Sequence, residues 1–164
     1  MNHPDFIITE ISPSDKPAIA KLISESWGST ISISRGRKHE ITELPGFICK
    51  LNNIIAGLIT YHIENEECEI ATLNCTVEGK GLGTRLIQKV MDKAREQKCT
   101  RVWLITSNDN TKAIRFYQRR GFEWVGFHKD AMIKSRKLKP EIPETGNDNI
   151  PIKHEIEFEI RIDS

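Results

Sequence analysis

The segment Val77-Glu78-Gly79-Lys80-Gly81-Leu82-Gly83-Thr84-Arg85 holds the densest chemistry in this 164-residue chain. Three glycines within five residues let the backbone approach a ligand closely and turn successive N–H groups inward. Behind them Leu82, Leu86, Ile87, Val90, Met91 and Ala94 recur at helical spacing, which predicts a helix from about Gly81 to Gln97. The start of that helix adds free N–H donors and the positive end of its dipole, and the two features together suit a phosphate or pyrophosphate. Thr84 could add a hydroxyl, and Lys80 or Arg85 could offset charge at the rim. The spacing excludes two familiar phosphate binders. A dinucleotide fingerprint would need glycine at position 86, where Leu86 stands, and no Gly-Lys-Ser/Thr follows for a Walker loop. A glycine-rich turn serving only chain reversal is the plain alternative.

The second informative stretch runs Asn108-Asp109-Asn110-Thr111-Lys112-Ala113-Ile114-Arg115-Phe116-Tyr117-Gln118-Arg119-Arg120-Gly121-Phe122. Asn110 is placed to cap a helix over 111–120, and Gly121 to end it. A phenol with a pKa of about 10 keeps its proton at neutral pH, so Tyr117 holds a proton to give where a site favours transfer. Read without its neighbours, Tyr117 is equally a core or interface tyrosine.

Taken in order, the three-glycine loop, a strand, and then Asn-x-x-Ala-x-x-Phe-Tyr-x-x-x-Gly-Phe strongly resemble the GNAT superfamily of acetyl-CoA-dependent N-acetyltransferases. In weaker form the resemblance covers nearly the whole chain. It implies that the coenzyme A pyrophosphate lies on a Gln/Arg-x-x-Gly-x-Gly/Ala loop, matched here by Glu78-x-x-Gly81-x-Gly83. Glu78 departs from that pattern, so phosphate contact falls to the backbone of Gly79, Lys80, Gly81, Leu82, Gly83 and Thr84. Asn110 matches a position that contacts the pantetheine arm, with Asn108, Ala113 and Phe116 in the same coenzyme-binding segment. Tyr117 matches the general acid that protonates the departing thiolate. The resemblance also implies a gap between the strand before the glycine loop and the strand after it. Acetyl-pantetheine enters there and bonds to the backbone around Leu73, Cys75 and Val77. A neutral amine then attacks the thioester directly. Cys75 lies near that path as a small residue that leaves room, with no partnered histidine to make it a nucleophile.

Glu69 is the leading candidate for the base that takes the acceptor's proton, with His62 and Glu64 behind it. All three read equally as solvent-facing strand residues, and backbone carbonyls with water can serve instead. The acceptor pocket is expected from Trp27, Arg35, Arg37 and His39 and from the segment near Phe127 and His128. The basic run Arg35 to Lys38 suits an acceptor bearing a carboxylate or phosphate, or forms a solvated helix face. Trp27 walls a pocket or staples a helix end. The expected activity is transfer of acetyl from acetyl-CoA, as cosubstrate, to a primary amine of a small molecule or protein. A non-catalytic acyl-CoA-binding or interaction module on the same fold is the alternative, and Glu78 favours it.

These residues need a scaffold. Phe6–Glu10 reads as an opening strand, followed by a helix capped by Ser14 or Asp15 that fails near Trp27-Gly28. The polar segment 34–40 reads as a short helix or loop. Phe47–Leu51, Ile54–Ile63 and Cys68–Val77 form a meander of strands. Arg101–Thr106 closes a parallel strand–helix–strand unit, and Phe122–Phe127 is a further strand. Residues 134–152, with Pro140, Pro143 and Pro151, read as an extended loop. Residues 154–162 alternate Ile156, Phe158, Ile160 and Ile162 with Glu155, Glu157, Glu159 and Arg161, a closing strand with one wet face. The expectation is one GNAT-like α/β (α+β) domain over residues 1–164. Its mixed, mostly antiparallel central sheet is flanked by helices, with one parallel unit at the coenzyme site.

Composition narrows the partners. With 38% hydrophobic and 29% charged residues and a net charge of +1, the chain carries no field that points to nucleic acid. Four cysteines and five histidines share no short ligand spacing, so no metal is expected and the cysteines read as small apolar residues in a reducing compartment. No apolar run approaches the ~20 residues of a membrane span, and no signal-peptide core is present. A cytoplasmic location follows, with neither membrane nor nucleic acid as partner. A homodimer is the one self-assembly entertained.

Overall fold

A pair of residues with positive φ can reverse a chain within two positions, and among the described residues three strand-to-strand hairpins use the device. Arg35-Gly36, Asn52-Asn53 and Asn65-Glu66 all adopt left-handed φ, the geometry of tight hairpin turns. The computed structural model describes residues 6–162. In chain order the elements are β1 (Ile8–Glu10), α1 (Lys16–Trp27), β2 (Ile31–Ser34), β3 (Arg37–Glu40), β4 (Gly46–Leu51), β5 (Ile54–Glu64), β6 (Glu67–Cys75), α2 (Leu82–Glu96), β7 (Arg101–Ser107), α3 (Thr111–Arg119), β8 (Glu123–His128), α4 (Ala131–Leu138) and β9 (Glu155–Arg161). Seven strands form one sheet in the order β1-β4-β5-β6-β7-β9-β8. Among the described residues only β6 and β7 pair in parallel, across the connection that holds α2. The mixed, mostly antiparallel sheet is the architecture expected from the residues.

Each face of the sheet has its own core. The apolar stripe of α2 packs with Cys68, Ile70, Val102, Leu104 and Phe158 on one side. A fully buried Leu such as Leu86 contributes about 1.5–3 kcal/mol through burial alone. Gly57 sets how close α2 comes, because a Cβ there would lie 2.7 Å from Leu82 and 2.9 Å from Leu86. On the other side Ile19 and Ile23 of α1 pack with Ile41, Ile48, Ile55 and Leu58. No helix among the described residues is long and apolar enough to cross a membrane.

Three expectations are corrected. Residues 34–40 are neither helix nor loop: Ile31 and Ile33 alternate with serines, and the Arg35-Gly36 turn pairs β2 with β3 as a separate two-stranded sheet. The expected loop 134–152 begins inside α4 and holds a 3-10 turn at Asn147–Asn149, because Pro140 and Pro143 stop the helix only after Leu138. The closing strand has no wet face at its start. Glu155 is fully buried and Glu157 nearly so, since the β2–β3 turn reaches over them and arginines pair with the carboxylates on that side.

Candidate active site

The parallel pairing of β6 with β7 stops early. It links Glu67 to Arg101, Cys68 to Val102 and Glu69 to Trp103, while β6 continues to Cys75 and β7 to Ser107. A bulge at Ala71, opposite Thr60 and Tyr61, shifts β6 at this point. The stretches Ile70–Leu73 and Leu104–Ser107 then line the two sides of a cavity of about 770 Å³. Two parallel strands that part midway leave facing backbone edges for an extended ligand to bridge. Leu73 lies on this gap, and Cys75 ends the strand beyond it. The expected separation of neighbouring strands is therefore present.

The glycine-rich loop continues from the end of β6. Gly79 and Gly81 have φ of 74° and 76°, which favours glycine at both positions. Gly81 caps α2 without a side chain, and the first backbone bond of the helix runs from Arg85 N–H to the Gly81 carbonyl. The N–H groups of Leu82, Gly83 and Thr84 thus stand at the positive end of a 15-residue helix. Gly83 lies close to the Phe116 ring and the Cys75 sulfur, at 3.1 and 3.6 Å from where a Cβ would sit. Val77 is half-buried against the core, and Lys80 is exposed. Glu78 points across to Lys112, with Oε1 and Nζ 2.8 Å apart, and that ammonium holds its carboxyl below the usual range. The unfavourable acid is thereby turned toward the start of α3.

Arg120 is a residue that the sequence reading missed. Its Nε donates to Thr84 Oγ1 at 2.9 Å, and its guanidinium lies over the Phe116 ring at 3.4 Å. A fixed cation thus sits beside the first turn of α2. The signal was faint, since Arg119-Arg120-Gly121 reads as an ordinary helix end.

α3 aims Tyr117. Asn110 Oδ1 accepts the Ala113 N–H at 3.2 Å and caps the helix, and both residues line the cavity. Tyr117 also lines it, wedged among Phe116, Phe122 and Phe158 with ring centroids 5.1, 5.3 and 6.4 Å away. Burial pushes its phenol well above the usual value, so it is protonated at neutral pH. Burial also raises the Cys75 thiol to about 11, the wrong direction for a nucleophile. Asn108 serves the fold more than the gap: its Oδ1 accepts from Lys153 and His154 N–H, each at 2.9 Å.

On the opposite face of the sheet, the β2–β3 hairpin covers a cluster of carboxylates. Glu69, at the last parallel pair before the gap, is buried. It accepts a hydrogen bond from Ser34 Oγ and lies 3.2 Å from His39 Nε2. Arg37 pairs with Glu64 and lies near His62. Arg35 stacks over Trp103, and Arg101 binds Glu67, Glu157 and Glu159. Glu69, Arg35 and Arg37 border a smaller cavity of about 260 Å³, whereas Trp27 borders the large one. Phe127 is more than half exposed and packs against His154 with the rings tilted, while His128 binds Glu157 at 3.0 Å. The sequence reading missed Glu155, which it placed on a solvated strand face; only its position opposite the polar turn could have marked it.

A sheet that parts beside a glycine-rich helix start, with a buried phenol on the wall of the gap, offers an extended, phosphate-bearing ligand a place to lie. The chain belongs to the acetyltransferase (GNAT) family, whose pattern matches residues 16–122. It is 41% identical over 150 residues to the uncharacterized protein YdhI of Bacillus subtilis, covering 90% of this chain and 93% of that one. A streptothricin acetyltransferase of Streptomyces lavendulae is 29% identical over 126 residues, covering 74% and 65%. The fold is also that of a Bacillus subtilis acetyltransferase solved in complex with CoA, with a TM-score of 0.69 at 13% identity over 96% of this chain and 99% of that one.

Proposed function

We propose that the protein transfers acetyl from acetyl-CoA to a primary amine within a ternary complex. The observation that carries this reading is the gap between β6 and β7, flanked by the glycine loop and walled by Tyr117. The pyrophosphate rests on the backbone of 79–84, with Arg120 beside it. The pantetheine arm lies along Ile70–Cys75 in place of the missing strand pairing.

The amine nitrogen attacks the thioester carbonyl carbon, and the oxyanion is met by backbone N–H of β6. As the carbon–sulfur bond breaks, Tyr117 gives its proton to the sulfur. The proton released by the acceptor goes to Glu69, assisted by His39 and Ser34, and solvent restores Tyr117. Glu69 suits the role because it stands where the strands part.

The deciding experiment pairs calorimetric titration of acetyl-CoA and free CoA with thiol release in the presence of primary amines. Micromolar binding together with amine-dependent thiol release is expected. Binding without release for any amine would favour the non-catalytic coenzyme-binding module.

A further inference from the structure

Glu155 pairs with Ser107 at the open end of β7, and the fold satisfies only half of its carboxylate. The side chain is fully buried, and its Oε2 accepts the Arg35 backbone N–H at 3.2 Å. Its Oε1 is equally buried and has no hydrogen-bond partner among the described residues. Glu155 also lines the large cavity that Tyr117 walls. An unanswered buried carboxylate oxygen is costly, so in a native fold it calls for a reason, and a bound partner is one.

The nearby cations are already committed. Arg35 places its guanidinium 3.8 Å from Glu157 and over Trp103. Arg101 is shared among Glu67, Glu157 and Glu159, and Arg37 is held by Glu64. His128 spends Nε2 on Glu157. The basic run that seemed suited to a carboxylate or phosphate is thus occupied largely by carboxylates of the chain itself. What remains without a partner on this side is an acid. Burial pushes its carboxyl up, while the Arg35 N–H and the nearby His128 pull it back, Glu69 adds to the rise and the Arg35 charge opposes it; a docked cation would work against the rise.

We propose that Glu155 anchors a second positive charge of the acceptor, so that preferred acceptors carry an ammonium or guanidinium group besides the amine that is acetylated. The inference rests on the acetyltransferase reading and narrows its acceptor class. A charge-assisted bond from the acceptor to Oε1 completes the carboxylate and orients the second amine toward the thioester. A monoamine reaches the same thioester without that anchor. An acceptor with an anionic tail meets repulsion.

The test uses three acceptors of one length: 1,5-diaminopentane, pentylamine and 5-aminopentanoic acid. Each is titrated calorimetrically into the full chain saturated with free CoA, so that no turnover is required. The diamine is expected to bind at least about tenfold more tightly than pentylamine, with the amino acid weakest. In Glu155→Gln the diamine advantage should fall to about one, while pentylamine affinity moves less than about threefold. Equal binding of the three by the unmutated protein overturns the proposal without any variant, as does an advantage that survives in Glu155→Gln. A loss of kcat for pentylamine in that variant with KM unchanged would make Glu155 a base instead and also overturn it. Diamine selectivity in binding with no thiol release from any amine would keep the anchor and sink the catalytic reading.

Discussion

Glu69 and Glu155, on strands separated by β7, are held by consecutive residues of one hairpin turn: Ser34 Oγ donates to Glu69, and Arg35 N–H donates to Glu155. The turn therefore fixes the spacing between the carboxylate placed at the start of the gap and the one at its open end. Moving the turn would move both, so the proposed base and the proposed anchor are geometrically coupled.

Replacing Glu69 by Gln keeps the shape of the side chain and removes its ability to take a proton. We expect kcat to fall about 10²-fold or more, with acetyl-CoA affinity within about threefold of the original. Steady-state thiol release at saturating amine measures it. An unchanged kcat would remove Glu69 from the mechanism and leave proton removal to water or backbone.

Tyr117→Phe should leave the aromatic cluster with Phe122 and Phe158 intact while deleting the proton. The expected loss in kcat is about 10²-fold, with coenzyme dissociation constants nearly unaltered. Turnover at the original rate would mean that the thiolate leaves unprotonated or is protonated by solvent.

Gly83→Val pushes side-chain carbons toward the Phe116 ring and Cys75, where even a Cβ would sit 3.1 Å from the ring. Binding of CoA should weaken at least about tenfold as the loop or α3 shifts. A dissociation constant equal to that of the unmutated chain would place the pyrophosphate elsewhere.

Glu78 and Arg120 should respond in opposite ways. Because Glu78 is committed to Lys112 at the surface, Glu78→Gln is expected to change CoA affinity by no more than about twofold. Arg120→Gln removes the cation beside Thr84 and should weaken CoA about tenfold, with a shallower salt dependence than the original. Titrations at two ionic strengths separate the cases.

Asp15 supplies a check on stability rather than on chemistry. Its buried carboxylate pairs with Lys50 and accepts the Ser12 N–H at 2.8 Å, and both partners hold its pKa below the ordinary value. A depressed folded-state pKa stabilises the protein above the unfolded value of about 3.9, and that stability disappears as pH falls through the folded value. Asp15→Asn should cost about 1–3 kcal/mol at pH 7, and the gap should narrow as pH drops from about 5 toward 2. Denaturant melts across that range would show it, and a pH-independent difference would assign the effect to packing.

Much of the fold was legible where periodicity and punctuation agreed. The α2 stripe, the Asn110 cap and the strands from Phe47 to Val77 all needed only short-range signals. The glycine loop and Tyr117 were singled out together because the two motifs in series resemble one family. The hairpin over 31–40 escaped because four of its ten residues carry charge, which masks a two-residue alternation. Glu155 escaped for a different reason. Alternation reports that a side chain leaves one face of a strand, but a distant turn decides whether that face stays wet. Arg120 likewise acquires its place only when α3 packs beside the start of α2.

The hairpin closes its own hydrogen bonds and joins no strand of the main sheet. Its side chains can therefore be exchanged without breaking a ladder that the rest of the chain depends on. If it lines the acceptor's side of the gap, as proposed here, relatives can change what they acetylate by rewriting about ten residues, while the coenzyme half of the molecule stays constant.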